Sequence, residues 1–267
     1  MSAPWPGEIV VRSDAADVAR AAAERIAEAS ARAVAERGEF SIALAGGTTP
    51  AATYALLASA PLRDTIAWSA WRVFFGDERW VAPDHPDSNF GMASRTLLSR
   101  VPIDAARVHP IPTDMPDAEQ AAEAYERLLR ANLGAAVGAT PQLDMVLLGM
   151  GDDAHTASLF AGSPLLAERA RAYGAALRPA DASIRVSATP ALICASREIA
   201  VIVTGSAKSA PIVRAWASAA ATSDVPITLL HEARGSVTWF CDAAAATPPG
   251  GAVPATARFT TREACPK

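Results

Sequence analysis

Cysteine is scarce in this chain of 267 residues, which contains three: Cys194, Cys241 and Cys265. No two of them lie close enough in sequence to form a metal-binding pair. An odd and sparse set also does not match a disulfide framework, and it is typical of a reducing compartment. A chain of this length can bury a substantial core, so it needs neither a disulfide nor a metal to fold.

Long apolar segments are also missing from the sequence. Residues 1–7 carry no apolar signal core. No stretch approaches the roughly 18 apolar, uncharged residues that a membrane span needs. We therefore expect a soluble, cytoplasmic protein that does not bind membranes.

Basic residues are few in this chain, and lysines are especially rare among them. The net charge is −4 and charged residues make up 19% of the chain. This balance argues against nucleic-acid binding through a basic surface and against a polybasic membrane binder. Among 24 basic residues only Lys208 and Lys267 are lysines. An internal lysine is therefore unusual within this chain.

Strand-like and helix-like segments alternate along the sequence. Residues 14–37 have helical apolar spacing, with Ser13 or Asp14 as a candidate cap and Gly38 as a stop. Short apolar runs bounded by glycine predict buried strands. The predicted strands are 40–45, 72–75, 143–148, 184–187, 200–204, 227–230 and 237–240, and further helices are predicted from Pro50, at 88–98, 117–133 and 206–220.

This alternation predicts the α/β class, with a mostly parallel sheet and helices on both faces. We expect one domain over residues 1–267, with a frayed tail from about residue 248. Ligands of such sheets bind at the carboxyl ends of the strands. Four predicted strands end in loops of glycine and polar residues, so we expect these loops to share one pocket: 46–49, 76–79, 149–156 and 205–208.

Two of these loops have features that suit a phosphate group. Gly46, Gly47, Thr48 and Thr49 precede a helix, so backbone N–H groups and hydroxyls could surround an anion. A plain tight turn would explain the same residues. Lys208 lies in the first turn of a predicted helix, where a cation is favoured mainly if an anion is also present; a surface lysine is the alternative.

Arg185 stands in a predicted strand, where a buried charge needs a partner. A phosphate or an acidic neighbour would serve equally well. Asp77, Glu78 and Arg79 place both charge signs just after another strand. Such a cluster either binds a polar substrate or forms local ion pairs.

The loop Gly149–Thr156 carries the strongest candidate for catalysis. Asp152 and Asp153 precede His155, which can exchange a proton near neutral pH. A nearby carboxylate can orient the ring and raise its basicity. The aspartates could also cap the following segment, and both roles can hold together. Clustered metal ligands, a Gly-x-Ser-x-Gly elbow and a Cys/His nucleophile pair are all missing from the sequence, so we expect neither a metal site nor covalent acyl transfer.

Four ordered blocks of the sequence resemble the 6-phosphogluconolactonases. They are Leu44–Pro50, Gly76–Val81 followed by Asp87–Asn89, Leu148–Phe160 and Gly205–Lys208. The segments Arg185–Ser187 and Trp239–Asp242 also fit. The resemblance covers residues 10–245 and implies a three-layer α/β fold shared with glucosamine-6-phosphate deaminases. It implies hydrolysis of 6-phospho-D-glucono-1,5-lactone to 6-phosphogluconate in the pentose phosphate pathway, with no metal, organic cofactor or obligatory protein partner.

The resemblance also implies roles for individual residues. His155 would activate water and Asp153 would orient or assist it. Arg79, with Asp77 and Glu78, would lie at the sugar end, where Arg79 could stabilise an oxyanion. The residues implied to hold the phosphate are Gly46, Gly47, Thr48, Thr49, Arg185 and Lys208.

Two positions depart from the family pattern, and two other functions remain open. Ala154 replaces a glycine that usually precedes the histidine, and Ala161 replaces a proline. If residue 154 needs a positive φ, alanine costs on the order of 1 kcal/mol there. A related deaminase would have Glu where this chain has Phe160. A non-catalytic sugar-phosphate sensor is the second alternative, although no basic helix-turn-helix segment precedes residue 40.

Overall fold

The computed structural model describes residues 7–136 and 138–247. The predicted frayed tail and Cys265 lie outside these residues. The strands are β1 (Glu8–Arg12), β2 (Phe40–Leu44), β3 (Trp71–Phe75), β4 (Asp77–Arg79), β5 (Met145–Leu148), β6 (Tyr173–Leu177), β7 (Ile184–Ala188), β8 (Glu198–Val203) and β9 (Ser236–Asp242).

The α-helices follow the strands in the predicted alternation. They are α1 (Ala15–Arg37), α2 (Thr48–Leu57), α3 (Leu62–Thr65), α4 (Asn89–Ala93), α5 (Ala118–Leu133), α6 (Pro190–Ala195), α7 (Ser209–Ala217) and α8 (Ala243–Ala246). Shorter 3₁₀ turns occupy Trp68–Ala70, Ala105–Arg107, Pro164–Ala167, Ser206–Lys208 and Pro226–Glu232, and a π turn extends α4 over Ser94–Leu98.

Six strands form one parallel sheet in the order β1-β9-β8-β5-β2-β3. Helix α1 packs against β1, β2, β8 and β9 of this sheet. All residues of β2 and β5 are buried, as expected for inner strands of a parallel sheet covered on both sides. The predicted α/β class with a mostly parallel sheet is therefore confirmed.

A second, antiparallel sheet of three strands has the order β4-β7-β6. The sequence predicted β7 but not β4 or β6. Strand β4 has three residues, all charged, and β6 contains glycine and alanine, so neither has a strand-like apolar pattern. Strand β1 was also missed.

The predicted strand at Ile227–Leu230 is wrong. These residues form part of the 3₁₀ turn Pro226–Glu232 and are buried. Pro226 occupies the start of this turn, where its fixed φ favours a helical conformation. A short buried apolar run has the same sequence pattern in a strand and in a buried helical turn, so periodicity does not distinguish them.

The caps of α1 agree with the predicted ones. The Asp14 side chain accepts hydrogen bonds from the N–H groups of Ala16 and Asp17, and Gly38 ends the helix with φ 80°. No helix among the described residues is long and apolar enough to cross a bilayer.

Buried tyrosines hold the carboxyl ends of the two neighbouring strands β2 and β3. The Tyr54 hydroxyl accepts from Ala45 N–H at 2.9 Å and donates to Ala45 O at 2.8 Å. The Tyr125 hydroxyl accepts from Phe75 N–H at 2.9 Å, and Tyr173 donates to Phe75 O at 2.8 Å. These bonds satisfy backbone groups at the points where the strands give way to loops.

Tyr54→Phe removes the partner of both backbone groups of Ala45. We expect the free energy of unfolding to fall by about 1–3 kcal/mol, because a buried N–H loses its acceptor. Chemical denaturation measures this loss. The control is Tyr173→Phe, which removes one donor to a carbonyl and should cost less. An equal or larger loss in the control would contradict the bracing role of Tyr54.

Candidate active site

The four predicted loops meet at one cavity of about 340 Å³. It lies at the carboxyl ends of β2, β3, β5 and β8. Residues of every loop line it: Gly46, Gly47, Thr48, Thr49, Gly76, Asp77, Arg79, Gly149, Met150, Gly151, His155 and Lys208. Of the predicted site residues, Asp153 reaches this cavity through its contact with His155, while Glu78 and Arg185 are not among the lining residues.

Glycines shape the wall of the cavity between β2 and α2. A Cβ atom on Gly46 would overlap the side-chain amide of Asn89, so the backbone comes close to that residue. Gly47 has φ 108°, which L side chains rarely adopt. It precedes α2, whose first turn receives no side-chain cap, so its leading N–H groups remain open to a ligand. This wall can hold an anion.

The threonines and Lys208 complete that wall. The Thr49 hydroxyl lies 2.8 Å from the Thr204 hydroxyl, which joins the end of β8 to the first turn of α2. Lys208 ends the turn Ser206–Lys208 and stands at the N-cap of α7, slightly before the predicted helical position. Its ammonium group contacts the carboxylate of Asp152.

His155 is fixed in the cavity by Asp153. The Asp153 Oδ1 atom lies 2.5 Å from His155 Nδ1 and also accepts the backbone N–H of His155 at 3.1 Å. The ring also contacts Phe160 at a centroid distance of 4.7 Å. A carboxylate accepts the proton on Nδ1, so Nε2 carries the free lone pair of the neutral ring.

The pKa of Asp153 reflects this contact. Burial alone would raise it, but hydrogen bonds from the backbone and ring of His155, together with the ring's charge, outweigh that effect and lower the pKa. Asp153 is therefore ionised at neutral pH and acts as an acceptor. It is suited to orient the ring and to stabilise the imidazolium form.

Asp77 and Glu78 have different surroundings although they are adjacent. Asp77 is 9% exposed and accepts from Ser158 Oγ at 2.7 Å and from Asn89 Nδ2 at 3.1 Å. It links the loop after β3 to the histidine loop and to α4. Asp77 thus lines the cavity while also holding its walls together.

Glu78 points away from the cavity and binds the start of α4. Its carboxylate accepts the N–H groups of Arg79, Asn89 and Phe90 at 2.7–2.8 Å and the Ser88 hydroxyl at 3.0 Å. Burial raises the pKa of Glu78 despite these bonds. Its geometry gives it a structural role in placing α4.

Arg79 and Arg185 face each other across the β4–β7 pair. Arg79 lines the central cavity, and both arginines line an adjoining one together with Arg178. Burial and the charge of Arg79 lower the pKa of Arg185. Two like charges opposite each other on neighbouring strands are unfavourable, so an anion between them would be stabilising.

Three residues that position the site had no role assigned from the sequence. Asn89 contacts Asp77 and lies against Gly46, Ser158 binds Asp77, and Thr204 binds Thr49. Asn89 and Ser158 fall inside the motif blocks, so their position was a usable signal. For Thr204, the sequence signal was limited to its position at the end of a strand.

The family described as "Glucosamine-6-phosphate isomerases/6-phosphogluconolactonase" matches residues 13–239. The chain belongs to this family. The glycine-rich loop, the arginine after β3 and the Asp–His pair of the cavity all lie within the matched residues.

Curated relatives within the family are named as 6-phosphogluconolactonases. The chain is 38% identical to the one from Nostoc, over 78% of this chain and 84% of the relative. It is 36% identical to the one from Streptomyces coelicolor, over 90% of this chain and 94% of the relative. A probable chloroplastic 6-phosphogluconolactonase from rice is 38% identical, but the match spans only 65% of its length.

Solved structures of the family have the same fold. The 6-phosphogluconolactonase from Trypanosoma cruzi superposes with a TM-score of 0.82 at 31% identity, covering 92% of this chain and 97% of that one. A monomeric glucosamine-6-phosphate deaminase superposes with a TM-score of 0.74 at 20% identity, which shows a shared fold alone.

The departure from the family pattern at residue 154 falls where backbone conformation matters. Ala154 has φ 68° and is fully buried. The condition under which alanine carries a backbone cost at this position is therefore met. Separately, the described residues contain no cluster of three or more histidine, cysteine or acidic side chains able to hold a metal ion.

Replacing Ala154 by glycine tests the cost of this family departure. Glycine relieves the strain of the left-handed backbone. This gain is offset by the loss of a buried methyl group, worth about 0.8 kcal/mol, and by the greater conformational entropy of glycine in the unfolded chain. We expect the unfolding free energy to change by less than about 1 kcal/mol.

The matched control is Ala182→Gly. Ala182 has φ 53° but is exposed, so no buried methyl is lost. This variant should gain stability by about 0.5–1 kcal/mol in the same denaturation experiment. A larger gain at Ala154 than at Ala182 would contradict the packing role of the Ala154 methyl group.

Proposed function

We propose that the protein hydrolyses 6-phospho-D-glucono-1,5-lactone to 6-phosphogluconate in the oxidative pentose phosphate pathway. The observation that carries this proposal is the oriented His155–Asp153 pair facing a cavity whose opposite wall is suited to phosphate. The lactonase names of the relatives agree with it. A base and an anion cradle in one cavity fit a phosphorylated lactone.

In this reaction His155 acts as a general base. Its Nε2 atom takes a proton from water as the water oxygen bonds to the lactone carbonyl carbon. The carbonyl oxygen becomes an oxyanion, for which Arg79 is the proposed stabilising cation. The bond from the carbonyl carbon to the ring oxygen then breaks. The ring oxygen leaves with the proton held by His155, and the new carboxylic acid ionises.

The phosphate of the substrate would bind at the opposite wall. The proposed ligands are the backbone and hydroxyls of Gly46–Thr49, with Lys208 and Arg185. The open first turn of α2 supports this placement, because a helix N-terminus favours an anion. Arg185 would engage the phosphate from the adjoining cavity, beside Arg79.

The surroundings of His155 favour the lactonase over a deaminase. Phe160 is 3% exposed and packs on the imidazole, at the position where a deaminase would use Glu for ring opening. A phenyl ring supplies no proton donor there. Asp153 in contact with the histidine likewise favours catalysis over simple ligand sensing.

His155→Ala should strongly reduce catalysis and leave substrate binding largely unchanged. We expect kcat to fall by about 10²–10⁴-fold with a small change in KM, because the base acts only in the transition state. A coupled assay with freshly generated lactone, corrected for its spontaneous opening, measures this with and without EDTA. The control is His231→Ala, a histidine outside the cavity lining. Activity that EDTA removes, or that the His155 variant keeps, would contradict the mechanism.

Lys208→Ala should act mainly on substrate binding. Removing one cation from the phosphate wall should raise KM by about tenfold or more, since hydrogen bonds to charged groups contribute about 1.5–3 kcal/mol. The change in kcat should be small. Initial-rate kinetics over a range of lactone concentrations separates the two constants. A pure loss of kcat would contradict the assignment of Lys208 to the phosphate.

A further inference from the structure

Asp152 forms an ion pair with Lys208 in the structure. The Lys208 ammonium contacts Asp152 Oδ1, with side chains 24% and 74% exposed respectively. Lys208 lines the cavity beside Gly47–Thr49, whereas Asp152 is not among the lining residues. The pair therefore joins the histidine loop to the phosphate wall at the cavity mouth.

This contact compensates an unfavourable position of the lysine. Lys208 stands at the N-cap of α7, where the helix dipole disfavours a cation. The carboxylate of Asp152 neutralises that charge. A phosphate bound at the adjacent wall would supply the same compensation with two negative charges, and it would repel Asp152.

The contact between Asp152 and Lys208 can also break at little cost. Its neighbour Asp153 makes the contacts that fix the histidine loop, through the N–H and ring of His155. The Asp152 side chain is mostly exposed, and exposed ion pairs contribute little stability. Breaking its contact with Lys208 thus leaves the loop and the catalytic pair in place.

We propose that Asp152 is a placeholder for the phosphate of the ligand. It pairs with Lys208, yields it to an incoming phosphate and re-forms the pair as product leaves. Asp152 thus weakens phosphate binding in exchange for faster release. The identity of the substrate rests on the proposed function, whereas the competition for Lys208 requires only a phosphate-bearing ligand.

The test is calorimetric titration of the purified protein with inorganic phosphate and with 6-phosphogluconate. Asp152→Asn keeps the shape of the side chain and removes its charge. We expect it to lower the Kd for both ligands by about three- to tenfold. Asp224→Asn, which removes the same charge from an exposed loop outside the cavity lining, should leave Kd within about twofold.

A double-mutant cycle with Lys208→Met identifies the route of the effect. A placeholder acts through the lysine, so Asp152→Asn should change Kd by less than about twofold in the Lys208→Met background. The kinetic counterpart is a lower KM for the lactone together with an unchanged or lower kcat. A merely structural residue would not produce tighter binding that depends on Lys208.

Each other outcome overturns the proposal. Weaker or unchanged phosphate binding in Asp152→Asn would mean that the aspartate does not compete for the lysine. An equal gain in the Lys208→Met background would show general charge repulsion, and absence of phosphate binding in every form would remove the anion site.

The lactone assay keeps the two proposals separate. If inorganic phosphate binds more tightly to Asp152→Asn while the wild type fails to accelerate lactone opening, the placeholder stands and the proposed function falls. Acceleration without any gain in phosphate affinity gives the reverse result.

Discussion

The parallel pairing of β2, β3, β5 and β8 is the constraint on which the rest of the structure depends. Because their carboxyl ends share one edge, four loops from distant parts of the chain meet there. Buried hydroxyl groups of Tyr54, Tyr125 and Tyr173 satisfy backbone groups where β2 and β3 end. Braced strand ends let the polar loops that follow them keep a defined arrangement.

The sequence predicts this edge well because its signals are local. Glycines and polar residues directly follow buried apolar runs, and a parallel sheet brings such positions together. The sequence could not show that Glu78 points away from the cavity, because this orientation depends on the N–H groups of Asn89 and Phe90 in the next helix. The sequence-based prediction also missed β4 and β6. These strands lack an apolar pattern, and their pairing with β7 holds them in the sheet.

The charged groups of the cavity differ in how fully they are paired. Asp153 is firmly engaged with His155, and its lowered pKa keeps it an acceptor. The cations of the site are less fully paired: Lys208 holds an exposed aspartate, and Arg185 faces Arg79 across a strand pair. This arrangement of an oriented histidine beside partly paired cations agrees with the proposed hydrolysis of a phosphorylated lactone.

The proposed chemistry requires Asp153 to fix the histidine ring so that Nε2 presents its lone pair to the cavity. ¹⁵N NMR of the histidine-labelled protein tests it most directly, with the signal of His155 assigned by its loss in a substituted variant. We expect the neutral ring to carry its proton on Nδ1, and we expect this preference to weaken in Asp153→Asn. A proton on Nε2 in the wild type would contradict this orientation of the ring.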